Sequence, residues 1–403
     1  MASNILDTID TRELGALLQQ ARKKRCMTQE EAAQILGVVR TTMVAIEKGE
    51  RRLKAGELIK LAKVYGQAVS DFVRERPIVE PFEVQFRASF KQSEPEKAKI
   101  APVIAELEEL CRDYLELEGI VDAPLVRNYP SEYPVDDLPI EVAAESIAVS
   151  ERNRLGLGDG PVPLLRDVLE QDVGLRIFYL KMSPKFSEVY GYDERLGACM
   201  AINENHPEER RRWSLAHGYL HFLAYRRKPV FHFEGQYQRI PASEQLADSF
   251  PKYFLMPSSG LLKRFNELCR AHGKFTPANL CTLAHFFGVS VQALVYRLEG
   301  MALLASGTWE RLQTRGFKVR EAQRQLGLES IPHRPDKMPI HYQHLAIEAF
   351  DQGLITEGRF AKLLRVDRLQ ARRIAGILRE HSSGMTEEAA NLDLRHEQEV
   401  VGY

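Results

Sequence analysis

The chain has 403 residues, and its 55 Lys and Arg against 56 Asp and Glu give a formal net charge of −1 at neutral pH. This balance indicates neither a nucleic acid nor an acidic partner for the whole chain, so any basic surface has to be local. Five cysteines without CxxC pairing or regular spacing indicate neither a disulfide framework nor a cysteine zinc site.

The length predicts two or three domains. No apolar run approaches the roughly 18 residues that span a bilayer, and the first residues do not form a basic stretch before an apolar core. We therefore expect a cytoplasmic protein without a membrane partner.

The first predicted elements are helices joined by a tight turn. Thr28, with Glu31 three residues later, has the pattern of a capping box at a helix start. Gly37 supplies the turn, because glycine tolerates a positive φ. A second helix is predicted from about Arg40 to Lys48, and it ends at Gly49. The pattern predicts an all-α helix-turn-helix domain.

This domain is predicted over residues 1–75, and we expect its second helix to face DNA. Residues 12–73 hold twelve Lys or Arg against seven Asp or Glu, a local surplus of five positive charges. Arginine can pair with a guanine edge, threonine can contact a thymine methyl, and lysine neutralises phosphate. The predicted DNA-contacting residues of this helix and the turn after it are Arg40, Thr41, Thr42, Ala45, Lys48 and Arg51.

The run 28–38, followed by Arg40 and by Ile46–Gly49, resembles the Xre family of lambda-repressor-like helix-turn-helix domains. The resemblance implies recognition of a double-stranded operator, with Gln29 near the DNA backbone, and a homodimer on two half-sites. Val39 departs from the small polar residue that is usual there, which would alter the helix N-cap. The alternative is a helical hairpin that makes only protein contacts.

The middle of the chain is predicted to mix helices and strands. A connecting helix is expected between Phe82 and Glu118, and another helical run begins near Ala143. Strands are predicted over 174–179 and 199–203 because apolar and β-branched residues cluster there between turn signals. We expect an α+β domain in this region.

A pair of histidines marks a candidate metal site. His217 and His221 lie four residues apart in a predicted helix, so they project from one face, as zinc binding by an HExxH motif requires. This spacing also occurs in helices that bind no metal, and that reading stays open. Glu244 on the next predicted helix could complete three protein ligands, with one position left for water.

Several ordered motifs resemble the ImmA/IrrE family of metallopeptidase-like domains. They are Asn203, Arg210–Trp213, His217, His221, Glu244, Ala247, Asp248, Phe250, Leu255–Pro257 and the segment 283–298. The resemblance implies a zincin-like fold over residues 76–300, with His217, His221 and Glu244 as zinc ligands. The family's catalytic base falls on Gly218, which has no side chain to take a proton from water. A weak or inactive peptidase is therefore expected.

Residues 301–403 are predicted to form a helical extension with a polar tail. The segment 355–373 has basic residues in a pattern that resembles a second helix-turn-helix, although packing of the extension on the middle domain is favoured. The tail after Ser382 is polar and acidic, which indicates disorder. The complete chain is thus expected to be multidomain and mainly α.

Three functions are compatible with this pattern. The first is a transcriptional regulator whose peptidase-like domain senses a signal or forms a dimer. The second is a zinc endopeptidase that cleaves a repressor-like or antitoxin-like partner. The third is an antitoxin-like protein that binds a co-encoded protein and represses its own operon.

Overall fold

The computed structural model describes residues 10–25, 27–67, 69–73, 94–135, 138–233, 240–328 and 337–383. The chain forms two compact units, Met1–Ile78 and Val79–Tyr403. Helices predominate and one small sheet lies in the second unit, so the predicted multidomain, mainly α fold is confirmed. The domain borders predicted at residues 75 and 300 stay predictions.

All described secondary-structure elements of the first unit are helices. Its helices are α1 (Thr11–Lys24), α2 (Gln29–Leu36), α3 (Arg40–Glu47), α4 (Ala55–Tyr65) and α5 (Ser70–Val73). The predicted capping box is confirmed, because Thr28 Oγ1 accepts the Glu31 N–H at 3.2 Å and the Glu31 carboxylate accepts the Thr28 N–H at 2.7 Å. Gly37 has φ 70°, as the predicted turn requires.

Helices α1 and α3 approach each other closely at one glycine. A Cβ atom at Gly15 would lie 2.5 Å from the backbone oxygen of Ile46 and 2.6 Å from that of Glu47. Only glycine permits this approach without a backbone shift. Around it, Leu18 and Met43 are fully buried in the core of this unit.

The described part of the second unit begins with a long helix and ends with three consecutive helices. Its helices are α6 (Glu94–Val121), α7 (Ile140–Arg154), α8 (Leu165–Val168), α9 (Glu208–Ala224), α10 (Ala242–Leu255), α11 (Ser258–His272), α12 (Pro277–Phe287), α13 (Val291–Gly300), α14 (Thr308–Thr314), α15 (Val319–Gln325), α16 (Ile340–Asp351), α17 (Glu357–Leu363) and α18 (Arg368–Ser383). A π-helical turn over Leu169–Val173 follows α8. Among the described helices none alone has the length and apolar composition to cross a membrane, whereas α12 and α13, bent by 102°, pass that test as a pair.

Four strands form the sheet. They are β1 (Arg176–Leu180), β2 (Phe186–Asp193), β3 (Gly197–Asn203) and β4 (Val230–Phe233). Their order is β1-β3-β2-β4, with β1 parallel to β3 and both other pairs antiparallel. The sequence indicated β1 and β3 but not β2, because Glu188 and Gly191 interrupt its apolar pattern.

The sheet is covered on both faces. Ile177 and Met200 belong to a core that they share with α7 and α9–α13. Phe178 and Ala201, their neighbours along β1 and β3, belong to a second core that they share with α6 and α16–α18. Because successive residues of a strand point to opposite faces, β1 and β3 are apolar on both sides.

The C-terminal helices reach the second face of the sheet through an aromatic cluster. Tyr342 is fully buried, its ring is perpendicular to that of Tyr114 at 5.3 Å between centroids, and its hydroxyl donates to the Leu363 carbonyl at 3.0 Å. Arg359 on α17 forms an ion pair with Asp113 on α6 at 2.8 Å. Helices α6 and α16–α18 therefore form one layer.

Truncation of Tyr342 tests this layer. We expect Tyr342→Ala to lower the free energy of unfolding by about 3–5 kcal/mol, because a large aromatic ring leaves a cavity in the core. Leu369→Ala is the control, since this leucine is 70% exposed, and it should change stability by less than about 0.5 kcal/mol. Urea unfolding followed by circular dichroism measures both, and an unchanged transition in Tyr342→Ala would contradict the packing.

Candidate metal centre and nucleic-acid interface

Helix α3 divides into an inward and an outward face. Met43 and Ile46 are buried against the core of the first unit. Of the residues predicted to contact DNA, Arg40, Thr41 and Lys48 are exposed and Thr42 and Ala45 are half-buried. Val39 occupies the N-cap and its side chain makes no capping hydrogen bond.

Two further residues predicted to contact DNA are held within the domain. The Gln29 side-chain amide donates to Glu47 Oε2 at 2.8 Å. Arg51 forms an ion pair with Glu57 at 2.8 Å. Both side chains thus position neighbouring elements, and their contact with DNA stays a prediction.

A buried ion pair joins the first helix to the last residue of α3. Arg22 Nε lies 2.6 Å from Glu47 Oε1, and both side chains are more than nine-tenths buried. Burial alone would raise the pKa of Glu47, but the hydrogen bonds from Arg22 and Gln29 outweigh it, so the pKa is lowered. Sequence analysis did not identify this pair, although Glu47 directly follows the inward residue Ile46.

The candidate metal ligands lie together in the second unit. His217 and His221 on α9 and Glu244 on α10 are buried, and one potential ligand atom from each lies within 4.8 Å of the other two. Glu244 lies 3.7 Å from His217 Nε2 and 3.6 Å from His221 Nε2. Ligands about 2.0–2.1 Å from a tetrahedral zinc ion are separated by about 3.3 Å, so small adjustments would suffice.

A carboxylate from the sheet orients the first histidine. Glu188 on β2 is 1% exposed, and its Oε1 lies 2.6 Å from His217 Nδ1. Such a bond fixes the ring and leaves Nε2 directed at the position between the ligands, as in the carboxylate–histidine–zinc arrangements of metalloproteins. Sequence analysis missed Glu188 because it lies in the unpredicted strand.

The two histidines differ in their electrostatic surroundings. Burial alone would lower the pKa of His217, but the carboxylates of Glu188, Asp248 and Glu244 outweigh it and raise the pKa to about 10. Burial also lowers the pKa of His221, and there it prevails over the attraction of Glu244. The pKa values of the two imidazoles therefore shift in opposite directions, because His217 has more carboxylate neighbours than His221.

The residues present fit a metal ion. His221 is fully buried, yet neither ring nitrogen makes a hydrogen bond within the described part of the chain. Buried polar atoms normally have a partner, so their lack of one indicates a missing group. Two imidazoles and a carboxylate are a donor set that zinc accepts.

The position of the family's general base is filled by other side chains. A Cβ atom at Gly218 would lie 2.4 Å from Met200 Cε and 3.2 Å from Glu188 Oε1. A glutamate there would require Met200 to move and would bring a second carboxylate towards Glu188. A side chain at position 218 would therefore have to displace the flexible end of Met200.

One more carboxylate borders the centre. Asp248 lies one turn after Glu244 on α10, and its Oδ1 is 3.4 Å from His217 Nε2. Its side chain is 45% exposed, unlike the three candidate ligands. The i, i+4 spacing from Glu244 is the sequence signal that places both carboxylates on one face.

Comparisons with known proteins assign both units to families. The helix-turn-helix domain model matches residues 13–72, and the IrrE N-terminal-like domain of the peptidase M78 family matches residues 170–299. The cryptic phage CTXphi transcriptional repressor RstR of Vibrio cholerae is 34% identical over 85 residues, which cover 21% of this chain and 77% of that protein.

The chain belongs to the Xre-type helix-turn-helix proteins and carries an ImmA/IrrE-type peptidase-like domain, so the predicted resemblance is confirmed. The crystal structure of Bacillus thuringiensis PlcR in complex with the peptide PapR7 and DNA aligns with 94% of this chain and 100% of that chain, at 10% identity and a TM-score of 0.18. ComR from Streptococcus suis aligns with 93% and 96%, at 11% identity and 0.16. A likeness at these TM-scores carries no structural inference.

Proposed function

We propose that the protein is a sequence-specific DNA-binding transcriptional regulator that inserts α3 into the major groove of an operator. The observation that carries the proposal is the exposed Arg40 and Thr41 on a helix whose opposite face is buried in a helix-turn-helix domain. The similar RstR protein is a transcriptional repressor, which supports the same role here. A homodimer would bind two half-sites about one helical turn apart.

The peptidase-like domain is proposed to bind zinc through His217, His221 and Glu244 without efficient hydrolysis. In an active enzyme of this type the metal would polarise a carbonyl and acidify a water molecule. Glu188 would hold the His217 ring in place for such a site. Gly218, however, cannot accept a proton, and general acid–base catalysis contributes about 10²–10⁴-fold to such reactions. The domain then acts in the regulator as a sensor or as a dimerisation module.

A second candidate function is an active zinc endopeptidase that cleaves a repressor-like or antitoxin-like partner. It requires another carboxylate in the place of the missing base. Asp248 favours this candidate, because it is partly exposed and lies 3.4 Å from the metal-facing nitrogen of His217. A third function is the neutralisation of a co-encoded protein by binding alone, as in an antitoxin. No structural observation among the described residues favours it.

The DNA-binding proposal predicts a specific loss on truncation of α3. A duplex selected by the protein from random sequences should bind Arg40→Ala about 5–150-fold more weakly than the wild type, since a bidentate base contact contributes about 1–3 kcal/mol. Lys60→Ala, which removes an exposed cation from α4, is the control and should retain affinity within about threefold. Fluorescence anisotropy at one fixed salt concentration measures both.

Failure to select any preferred duplex would contradict sequence-specific recognition. Equal affinity of Arg40→Ala and the wild type for a selected duplex would contradict the assignment of α3 as the recognition helix.

The metal proposal predicts graded losses of zinc affinity. His221→Ala removes a ligand and should abolish stoichiometric binding, whereas Glu188→Gln should weaken binding about 10–100-fold because only ring orientation is lost. His272→Ala, which removes an exposed histidine of α11, is the matched control. Competition with a zinc-binding dye measures all three, and unchanged affinity in His221→Ala would contradict this site.

A further inference from the structure

A large cleft opens in the second unit beside the candidate metal centre, and it has no part in the proposed chemistry. Its volume is 1230 Å³, and its walls come from α9, α10, α13 and α15. Trp213 on α9 lies one turn before His217, and Lys252 on α10 lies one turn after Asp248. The cleft therefore runs along the two helices that carry the candidate ligands.

The walls of the cleft combine an apolar, aromatic surface with positive charge. Trp213, Tyr253, Tyr296 and Val291 supply the apolar and aromatic part. The cations that line the cleft are Arg210, Lys252, Arg297, Arg320 and Arg324, against the acidic residues Glu141 and Glu209. This is a surplus of three positive charges.

Glu141, one of the two acidic residues that line the cleft, accepts hydrogen bonds from the protein itself. Glu141 accepts hydrogen bonds from Tyr253 at 2.7 Å, from Ser249 at 2.8 Å and from Lys252 at 3.1 Å. At the rim, Arg320 and Arg324 are exposed and form no ion pair within the described part of the chain. The positive surplus is thus only partly compensated by the protein itself.

Arg297 is the most unusual of these cations because it is buried. Only 8% of it is exposed, its guanidinium lies 4.2 Å from the centroid of the Tyr253 ring, and it donates to Ser258 Oγ at 2.6 Å. Glu145, itself 44% exposed, is 3.9 Å away, and the buried Nε makes no hydrogen bond in the described part of the chain.

A buried guanidinium is costly unless it is paired and its hydrogen-bond donors are satisfied. Burial lowers the pKa of Arg297, in agreement with this incomplete compensation. An anion that enters the cleft would add negative charge beside this guanidinium, from which Glu145 lies 3.9 Å away. A wall of aromatic rings would at the same time bury the apolar body of such a ligand.

We infer that this cleft binds a small amphipathic organic anion, with its carboxylate or phosphate group directed to Arg297 and its apolar body packed on Trp213 and Tyr296. The inference goes beyond the proposed regulation and does not depend on it, because binding is measured on the ligand itself. A carboxylate and a phosphate ester share the recognised chemistry, and matched probes distinguish them.

Isothermal titration calorimetry of the full chain with 2-naphthoate, 2-naphthyl phosphate and neutral 2-naphthol provides the test. At least one anion should bind at a single site, with 2-naphthol at least tenfold weaker, and the tighter anion identifies the preferred head group. Arg297→Gln should weaken anion binding about tenfold or more, because hydrogen bonds to charged groups are strong. Arg264→Gln, which removes an arginine that stacks on Phe286, should not change it.

A second pair of variants separates blocking of the cleft from loss of folding. Gly300 lines the cleft and a Cβ atom there meets no atom within 4 Å, so Gly300→Phe should fold and obstruct the cleft. Gly119→Phe on α6 is the matched control, since Gly119 has the same open surroundings and does not line the cleft. Anion binding should be lost in the first variant and retained in the second.

Two results would overturn the inference. One is the absence of anion binding at millimolar concentration, or binding of 2-naphthol as tight as that of the anions. The other is unchanged anion affinity in both Arg297→Gln and Gly300→Phe.

Discussion

Helix α9 is buried almost along its whole length, and the rest of the second unit depends on how its polar side chains are compensated. Arg212 donates to the Gly288 carbonyl at 3.0 Å, and Tyr219 donates to Glu151 on α7. His217 is bound by Glu188 on β2. These three residues thus attach α9 to three different neighbouring elements. His221 differs from them, because its two buried nitrogens make no hydrogen bond within the described residues.

The burial of α9 also limits the space at position 218, where the peptidase family has its general base. In a tightly packed interior, a side chain fits only where the surrounding atoms leave room for it. At Gly218 that space is occupied by the end of Met200 and by the carboxylate of Glu188. Glu188 meanwhile keeps the His217 ring in the orientation that a metal ligand requires. The residues at this centre therefore include a donor set that a zinc ion accepts, whereas position 218 has no side chain that could accept a proton.

Local patterns in the sequence predicted those features that depend on neighbours along one helix. The capping box of Thr28 and Glu31, and the pair His217 and His221, follow from spacing alone. The partners that come from distant elements could not be predicted in this way. Glu188 meets His217 only because β2 lies beside α9, and their sequence separation of 29 positions carries no periodic signal.

The extension illustrates the same limit. Helices α16–α18 were expected from their apolar spacing, but their site of packing depends on the second face of the sheet. That face exists because alternating residues of β1 and β3 enter two different cores. In the sequence, for example, Tyr342 is one aromatic residue of a predicted helix. In the fold, its ring contacts Tyr114 on α6 and Phe178 on β1.

The central claim is that this domain binds zinc but lacks the general base that peptide hydrolysis requires. Its most direct test is one experiment that measures both zinc content and cleavage of an unstructured protein. We expect the zinc-loaded wild type to hold one zinc ion per chain and to leave the substrate intact. Gly218→Glu combined with Met200→Ala, which makes room for the new side chain, should retain zinc and gain cleavage. Zinc-dependent cleavage by the wild type that disappears in His221→Ala would contradict the account and assign the chain as a peptidase.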